Sequence, residues 1–289
     1  METFKIIFNS WQFNLGMDLF FSVLFIQYYK LAVVNSQKEG ASTIILQTIA
    51  GISVLFLAPF FLFKFPNNFF TYFLLVTATI FYALNDRIQT TVRKNLDVSV
   101  YTILNKLCNV FIIVYGIVLF KEDIKVLQLL GGFLIVFGNI ILFYQKRKIK
   151  LNKNILLGIL APFILATALI IDVDISKNFN LPVYIAITFI FPAILIYFFG
   201  KHSVKEIKEE FFSSDKKYYL ITGISWGLLM FFEIRSLQSM NVSLMSPLLA
   251  TSVLLNVIVA SVLHNEKEDL VKKIVAAMLV ILGVSIIVH

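Results

Sequence analysis

Long runs of apolar residues, separated by short polar links, make up almost the whole chain. A helix needs roughly 20 mostly apolar residues to cross a bilayer. The runs are continuous rather than alternating in short pieces, which favours membrane helices over a β-barrel. The predicted spans cover residues 8–34, 42–63, 69–91, 97–119, 126–144, 155–175, 181–199, 217–238, 243–263 and 270–288. The pattern therefore predicts an all-α integral membrane protein with ten transmembrane helices.

Two of the predicted links are longer than the rest. The first is the basic link 146–154 at mid-chain. The second covers residues 201–216, where Val204, Ile207 and Phe211 recur with helical spacing, and it predicts a short helix at the membrane interface. Neither link is long enough to hold a soluble domain, so the helices themselves must carry the function.

The composition agrees with a membrane location. Of the 289 residues, 59% are hydrophobic and 15% are charged, whereas a soluble domain carries about 25% charged residues. These values exclude a disordered chain and a disulfide-stapled secreted domain, and the single cysteine, Cys108, excludes a thiolate metal cluster. The first apolar stretch is interrupted by polar residues such as Asn9 and Asp18, so we expect it to be a retained span and not a cleaved signal peptide.

The net charge of +8 could indicate a nucleic-acid partner, but cytoplasmic loops of membrane proteins also collect Lys and Arg. We therefore attribute the charge to topology and expect no nucleic acid. Most of these residues lie in the links after odd-numbered spans, which places both termini outside the cell.

An internal repeat relates the two halves of the chain. A shift of 144 residues places residues 98–99 on residues 242–243, and it places Glu122 on Glu266. A unit of five helices that is repeated once enters the membrane from the opposite side the second time. The repeat therefore predicts an inverted pair with a binding site at the interface of its halves.

In these features the chain resembles the ten-helix drug/metabolite transporters of the EamA-like type. The positions that carry the resemblance are Val98, Ser99, Glu122, Gly131, Gly138, Val242, Ser243, Glu266 and Gly283. The internal repeat predicts a first five-helix unit at 1–145 and a second at 155–289, and the resemblance implies a small-molecule substrate. It also implies that both termini lie inside the cell, so the charge distribution and the resemblance leave two orientations open.

Ionisable residues within predicted spans are the best candidates for a binding site. Span four carries such a stripe, formed by Tyr101, Asn105, Lys106 and Asn109. Their spacings of three and four residues put them on one helical face. A buried ammonium with two carboxamides could bind a carboxylate or a phosphate. The alternative is that Lys106 forms an ion pair with an acid on another helix.

Span one offers a second candidate face with Trp11, Asn14 and Asp18. The Asp18 carboxylate could bind a substrate amine, carry a coupling proton, or neutralise Lys106. These three alternatives remain open from the sequence.

Spans eight and nine contribute further candidates. In span eight, Trp226 and Glu233 lie on one face, where an indole beside a carboxylate suits a cationic group through a cation–π contact, and Glu233 could also carry a coupling proton. Arg235 is two residues from Glu233 and so lies on another side of the helix. Asn256 in span nine, with Ser246 and Ser252, could complete a polar lining or only bridge helices.

Other polar and small residues are interpreted as structural. Asp172 and Asp174 lie towards a helix end, where we expect interfacial hydration. Glu122 and Glu266 are expected at the surface. Small residues on the fifth and tenth spans are expected to let helices approach closely, and these are Gly131, Gly132, Gly138, Ala276, Ala277 and Gly283.

These features favour a secondary transporter of a small charged or zwitterionic metabolite, amino-acid-like or nucleotide-like, that works by alternating access in the bacterial cytoplasmic membrane. A proton-coupled exporter of organic cations is the alternative within transport, and a non-transporting membrane scaffold is the alternative outside it. An enzyme is disfavoured, because the three histidines lie in links or at the terminus, namely His202, His264 and His289. The sequence predicts no metal and no cofactor.

Overall fold

The computed structural model describes residues 10–33, 36, 38–95, 104–105, 107–143, 153–213, 215–252, 255–256, 259 and 270–288. Regular secondary structure within these residues is entirely helical. Its helices are α1 (Trp11–Val33), α2 (Glu39–Leu55), α3 (Phe69–Asn95), α4 (Leu107–Val118), α5 (Val126–Phe143), α6 (Lys153–Ile175), α7 (Leu181–Phe199), α8 (Val204–Ser213), α9 (Lys216–Ser239), α10 (Val242–Leu249) and α11 (Leu270–Val288).

Within the described part of the chain, six helical segments are long and apolar enough to cross a membrane. They are Trp11–Val33, Glu39–Phe60, Phe69–Asp86, Lys153–Asn178, Leu181–Phe199 and Lys216–Ser239. Shorter apolar helices cover Leu107–Val118, Val126–Gly138 and Val275–Ile287. The prediction of an all-α, multi-pass membrane protein is confirmed. The count of ten spans and their inverted repeat stay predictions, since spans four and nine lie partly outside the described residues.

The chain divides into two compact units. Unit 1 comprises Met1–Ala83 and Ile171–Arg235, and unit 2 comprises Leu84–Ile170 and Ser236–His289. Each unit therefore takes residues from both of the predicted repeats, whose boundaries stay a prediction.

Glycines allow close contacts between helices in unit 1. A Cβ atom on Gly51 of α2 would lie 2.9 Å from Ile190 Cγ1 on α7. A Cβ atom on Gly227 of α9 would lie 2.5 Å from the Ala50 carbonyl oxygen on α2. Because a side chain at either glycine would meet atoms of the neighbouring helix, α2 packs closely against both α7 and α9.

The short helix predicted between residues 201 and 216 is present as α8. Its residues Ile207 and Phe211 pack against a buried cluster that includes Tyr219. Glu210 is buried and accepts hydrogen bonds from Ser42 Oγ at 3.0 Å and from Tyr219 Oη at 3.2 Å. One face of α8 is therefore docked onto α2 and α9 and does not face lipid.

In unit 2, α5 and α11 meet at the glycines predicted for close packing. A Cβ atom on Gly131 would lie 2.8 Å from the Gly283 carbonyl oxygen, and a Cβ atom on Gly283 would lie 2.5 Å from the Gly131 carbonyl oxygen. A Cβ atom on Gly138 would lie 3.1 Å from the Ala276 carbonyl oxygen. The expected helix contact is confirmed at these four residues.

We expect Gly283→Ala to lower the thermal unfolding midpoint of the protein in detergent. The new methyl group would collide with backbone, which cannot move as a side chain can, and overpacking of this kind costs about 1–3 kcal/mol. Gly16→Ala is the matched control, because a Cβ atom there has nothing within 4 Å. The control should leave the midpoint unchanged or raise it, since alanine favours helix. Equal midpoints for the two variants would contradict the packing account.

Candidate functional site

A buried carboxylate, Asp172, joins three helices of unit 1. It lies on α6 and is 0% exposed. Tyr82 of α3 donates a hydrogen bond from Oη to Asp172 Oδ2 at 2.7 Å, and Tyr184 of α7 donates one from Oη to Asp172 Oδ1 at 2.5 Å. Both carboxylate oxygens therefore have a partner, as a buried charge requires.

The expectation that Asp172 is hydrated at a helix end is wrong. The chain continues past α6 into the short 3₁₀ turn Ser176–Asn178 and then into α7, which supplies Tyr184 to the carboxylate. Ser176 Oγ also donates to the Asp172 carbonyl oxygen. Asp174 is exposed, and its hydration stays a prediction.

Asp18 of α1 is also buried, but unlike Asp172 it has a carboxylate oxygen without a hydrogen-bond partner in the described part of the chain. It is only 3% exposed, and its Oδ1 atom has no hydrogen-bond partner among the residues that the structure describes. Its carboxyl group interacts electrostatically with Glu233 of α9, which in turn interacts with Asp172. Three acidic groups from three helices of unit 1 therefore share one electrostatic environment. The structure brings the predicted residues Asp18 and Glu233 within electrostatic reach of each other.

Arg235 supplies a positive charge in the same unit. Its Nε donates to Asn14 Oδ1 at 3.1 Å, and Asn14 is buried. The guanidinium carbon lies 5.6 Å from the ring centroid of Phe61 and 5.7 Å from that of Phe231. Such distances allow cation–π attraction. Arg235 is therefore held by a carboxamide and two aromatic rings.

Asn180 fixes the non-helical segment that carries Phe61. Its Nδ2 donates to the carbonyl oxygens of Ala58 at 3.0 Å and Phe61 at 3.2 Å. Its Oδ1 accepts from the Val183 amide at 3.2 Å and so caps the first turn of α7. One buried amide side chain therefore ties the chain after α2 to the start of α7 and holds Phe61 near Arg235.

The two predicted tryptophans have different surroundings. The Trp226 ring stacks on Phe25 with centroids 5.4 Å apart and meets Phe189 edge-on at 5.1 Å. Trp11 is half-buried at the start of α1. Trp226 is therefore surrounded by aromatic rings, and a cation could reach only the part of the indole that these rings leave uncovered.

The remaining candidates belong to unit 2. Asn109 Oδ1 accepts a hydrogen bond from Ser246 Oγ at 3.2 Å, which joins α4 to α10. Asn256 is buried and donates from Nδ2 to the Ser252 carbonyl oxygen of its own segment at 2.9 Å. Asn105 is half-buried. Tyr101 and Lys106 lie outside the described residues, so the stripe of span four stays a prediction.

Glu122 does not remain at the surface as expected. It is half-buried and accepts backbone hydrogen bonds from Val242 N at 2.6 Å and Ser243 N at 3.0 Å. The first amides of a helix have no partner within it, so a carboxylate there stabilises the helix start. Glu122 therefore caps α10. Its repeat mate Glu266 lies outside the described residues.

Sequence reasoning gave no site role to several residues of this buried network. The signal for Asn180 was present, since asparagine followed at two residues by Pro182 is typical of a helix start. Arg235 carried a signal as an ionisable residue within predicted span eight. No local pattern pointed to Tyr82 or Tyr184, because their partner Asp172 lies on another helix.

We expect Tyr184→Phe to lower the thermal unfolding midpoint, because it leaves one oxygen of the buried Asp172 without its donor. A buried group that loses its partner costs about 1–3 kcal/mol, or more when it is charged. Tyr72→Phe is the control, since Tyr72 is exposed and its ring contact with Phe179 is kept. A midpoint for Tyr184→Phe as high as that of the control would contradict the role of this hydrogen bond.

Comparisons with known proteins show a family similarity for the second half of the chain and a fold similarity for nearly all of it. Residues 152–289 match the model of the EamA-like transporter family. A solved structure titled "Crystal structure of protein" superimposes with a TM-score of 0.76 over 96% of both chains. The two sequences are 12% identical, so this comparison shows a similar fold and nothing about function. No curated protein matches the chain. The protein is therefore a multi-pass integral membrane protein whose second half, residues 152–289, is similar to the EamA-like transporter family.

Proposed function

We propose that this protein is a secondary transporter that moves a small charged or zwitterionic organic metabolite across the membrane by alternating access. The family match supports a membrane transporter of the drug/metabolite type. The substrate class rests on the polar groups of unit 1. We further propose the ten-helix inverted repeat as the architecture and the bacterial cytoplasmic membrane as the location.

One observation carries the substrate class. Asp18 is almost fully buried, and one of its carboxylate oxygens has no hydrogen-bond partner within the described chain. An unpaired buried carboxylate is costly, and the cost is removed when an ammonium group binds it. We therefore assign the amine of the substrate to Asp18, with Glu233 as the second acidic group.

Arg235 makes a zwitterion the preferred substrate. A guanidinium recognises a carboxylate through two parallel hydrogen bonds. Arg235 lies on the same helix as Glu233 and is hydrogen-bonded to Asn14, one turn from Asp18 on α1. An amino-acid-like molecule offers both charges that such a site binds. Trp11 and Trp226 are proposed to contact the apolar part of the substrate.

The stripe of span four is proposed as a second group of substrate-binding residues. It comprises Tyr101, Asn105, Lys106 and Asn109, and Asn256 is proposed together with them. In the described part, the supporting contact is the hydrogen bond from Ser246 to Asn109. A larger anionic group, such as a nucleotide-like phosphate, would use Lys106.

Asp18 and Glu233 are also the proposed coupling residues. Two neighbouring carboxyl groups repel each other when both are charged. Either a proton or a substrate ammonium group can relieve this repulsion. The proton and the substrate would compete for one site, and this competition would couple the movement of one to the movement of the other. A proton-coupled exporter of organic cations is the second candidate, and the excess of acidic groups around Glu233 favours it.

The substrate class can be tested by thermal unfolding of the purified protein against zwitterionic, cationic and anionic metabolites. A molecule that binds only the folded protein raises its stability, by about 2.7 kcal/mol at a hundred times Kd. We expect zwitterions to raise the midpoint of the wild type and not that of Asp18→Asn. Arg235→Gln should lose the response to zwitterions and keep any response to organic cations.

Asp174→Asn is the matched control, since it makes the same change at an exposed position two residues from Asp172. It should respond as the wild type does. A response to cations alone, lost in Asp18→Asn and kept in Lys106→Ala, would replace the lead proposal with the cation exporter. No response to any compound would contradict both and favour the scaffold.

A further inference from the structure

The helix α8 separates its acidic and basic residues between two faces. Its sequence holds three acids and two bases, Glu206, Glu209 and Glu210 against Lys205 and Lys208, so the sequence alone describes a slightly acidic helix. At 100° per residue, residues 206 and 210 share one face and residues 204, 208 and 212 share another. The contacts of α8 decide which face is free.

The docked face of α8 carries two of its three acidic residues, Glu206 and Glu210. Glu210 is buried and accepts three hydrogen bonds, the third from the Lys38 amide at 3.3 Å. Glu206 pairs with the Lys38 ammonium at 2.6 Å. The hydrogen bond from Lys38, helped by the Ser203 amide, holds the pKa of Glu206 below its usual value. The Lys38 ammonium therefore neutralises Glu206, and the hydrogen bonds of Glu210 direct its carboxylate towards the protein and away from the outer face of α8.

The opposite face of α8 is basic and apolar. Val204 is 55% exposed and Phe212 is 67% exposed, while the Lys205 side chain is 85% exposed and Lys208 is also exposed. The Lys216 ammonium lies 4.4 Å from the Phe212 ring centroid. Glu209 offsets part of the charge, since it lies 3.8 Å from Lys205.

Lysines that flank α8 add to the positive charge of its outer face. Lys201 lies just before α8, and Lys216 and Lys217 lie just after it, all exposed. Asp215 is the acidic residue among the described positions of these two links. The outer face of α8 with its flanking lysines therefore carries a net positive charge around two large exposed apolar side chains.

The position of α8 brings this face to a membrane surface. It follows the candidate span Leu181–Phe199 and precedes the candidate span Lys216–Ser239, so it lies where both spans leave the bilayer. Apolar side chains that enter the headgroup region beside lysines are typical of helices that bind anionic membranes. Each lysine near such a surface contributes to the attraction.

We propose that the outer face of α8 is a docking surface for the headgroups of anionic phospholipids, with Lys205 and Lys208 as the principal contacts. Val204 and Phe212 enter the acyl boundary, while the lysine stems extend to the phosphates. The lipid thereby holds α8 against the bilayer, and Glu210 holds it against α2 and α9. This surface is independent of the proposed transport site.

The test compares thermal unfolding in nanodiscs of phosphatidylcholine alone with nanodiscs that also contain phosphatidylglycerol. We expect phosphatidylglycerol to raise the midpoint of the wild type, and Lys205→Gln/Lys208→Gln to lose at least half of that rise. High salt should reduce the rise in the wild type, because it screens the attraction. The midpoint of each variant in phosphatidylcholine discs reports whether it folds.

Lys64→Gln/Lys177→Gln is the matched control. Both lysines are exposed, and the Lys64 carbonyl oxygen accepts a hydrogen bond from the Asn180 amide just before α7, so they lie at the opposite end of α7 from α8. The control should keep the full rise. A full rise in Lys205→Gln/Lys208→Gln, or an equal loss in the control, would overturn the proposal. An equal rise from inorganic phosphate in phosphatidylcholine discs would overturn the assignment to lipid.

Discussion

A polar group buried in a membrane-spanning helix must find its partner within the protein, because the bilayer core has no water to offer. Asp172 meets this constraint with two tyrosine hydroxyls, one from α3 and one from α7. Just outside the candidate spans, the buried Asn180 satisfies backbone carbonyls of the segment after α2 while capping α7. In unit 2, Glu122 supplies the missing acceptors at the start of α10. These few polar contacts fix helices whose apolar surfaces would otherwise pack in many ways.

Asp18 departs from this rule, and the proposed function rests on that departure. Its neighbour Glu233 adds negative charge, whereas Arg235 is held by Asn14 and aromatic rings. A site that keeps an acid without a full set of partners is suited to a ligand that supplies them. The contrast between the satisfied Asp172 and the unsatisfied Asp18 distinguishes a structural carboxylate from the proposed binding one.

The sequence predicted the helices well because apolar length and helix boundaries are local properties. The predicted span 181–199 coincides with α7, and the short helix predicted from Val204, Ile207 and Phe211 is α8. The burial of Asp172 was missed, since it depends on Tyr82, 90 positions earlier in the chain. The proximity of Asp18 to Glu233 depends on the packing of α1 against α9, which no local pattern encodes. The stripe around Lys106 lies partly outside the described residues and stays a prediction.

The central claim is that Asp18 binds the amine of a transported molecule. Counterflow of a labelled zwitterion, identified by its thermal response, into proteoliposomes loaded with the unlabelled compound tests this claim most directly. The account predicts rapid exchange for the wild type and for Asp174→Asn, and none above empty vesicles for Asp18→Asn in folded protein. Undiminished exchange by Asp18→Asn would contradict the account, because transport would then not require this carboxylate.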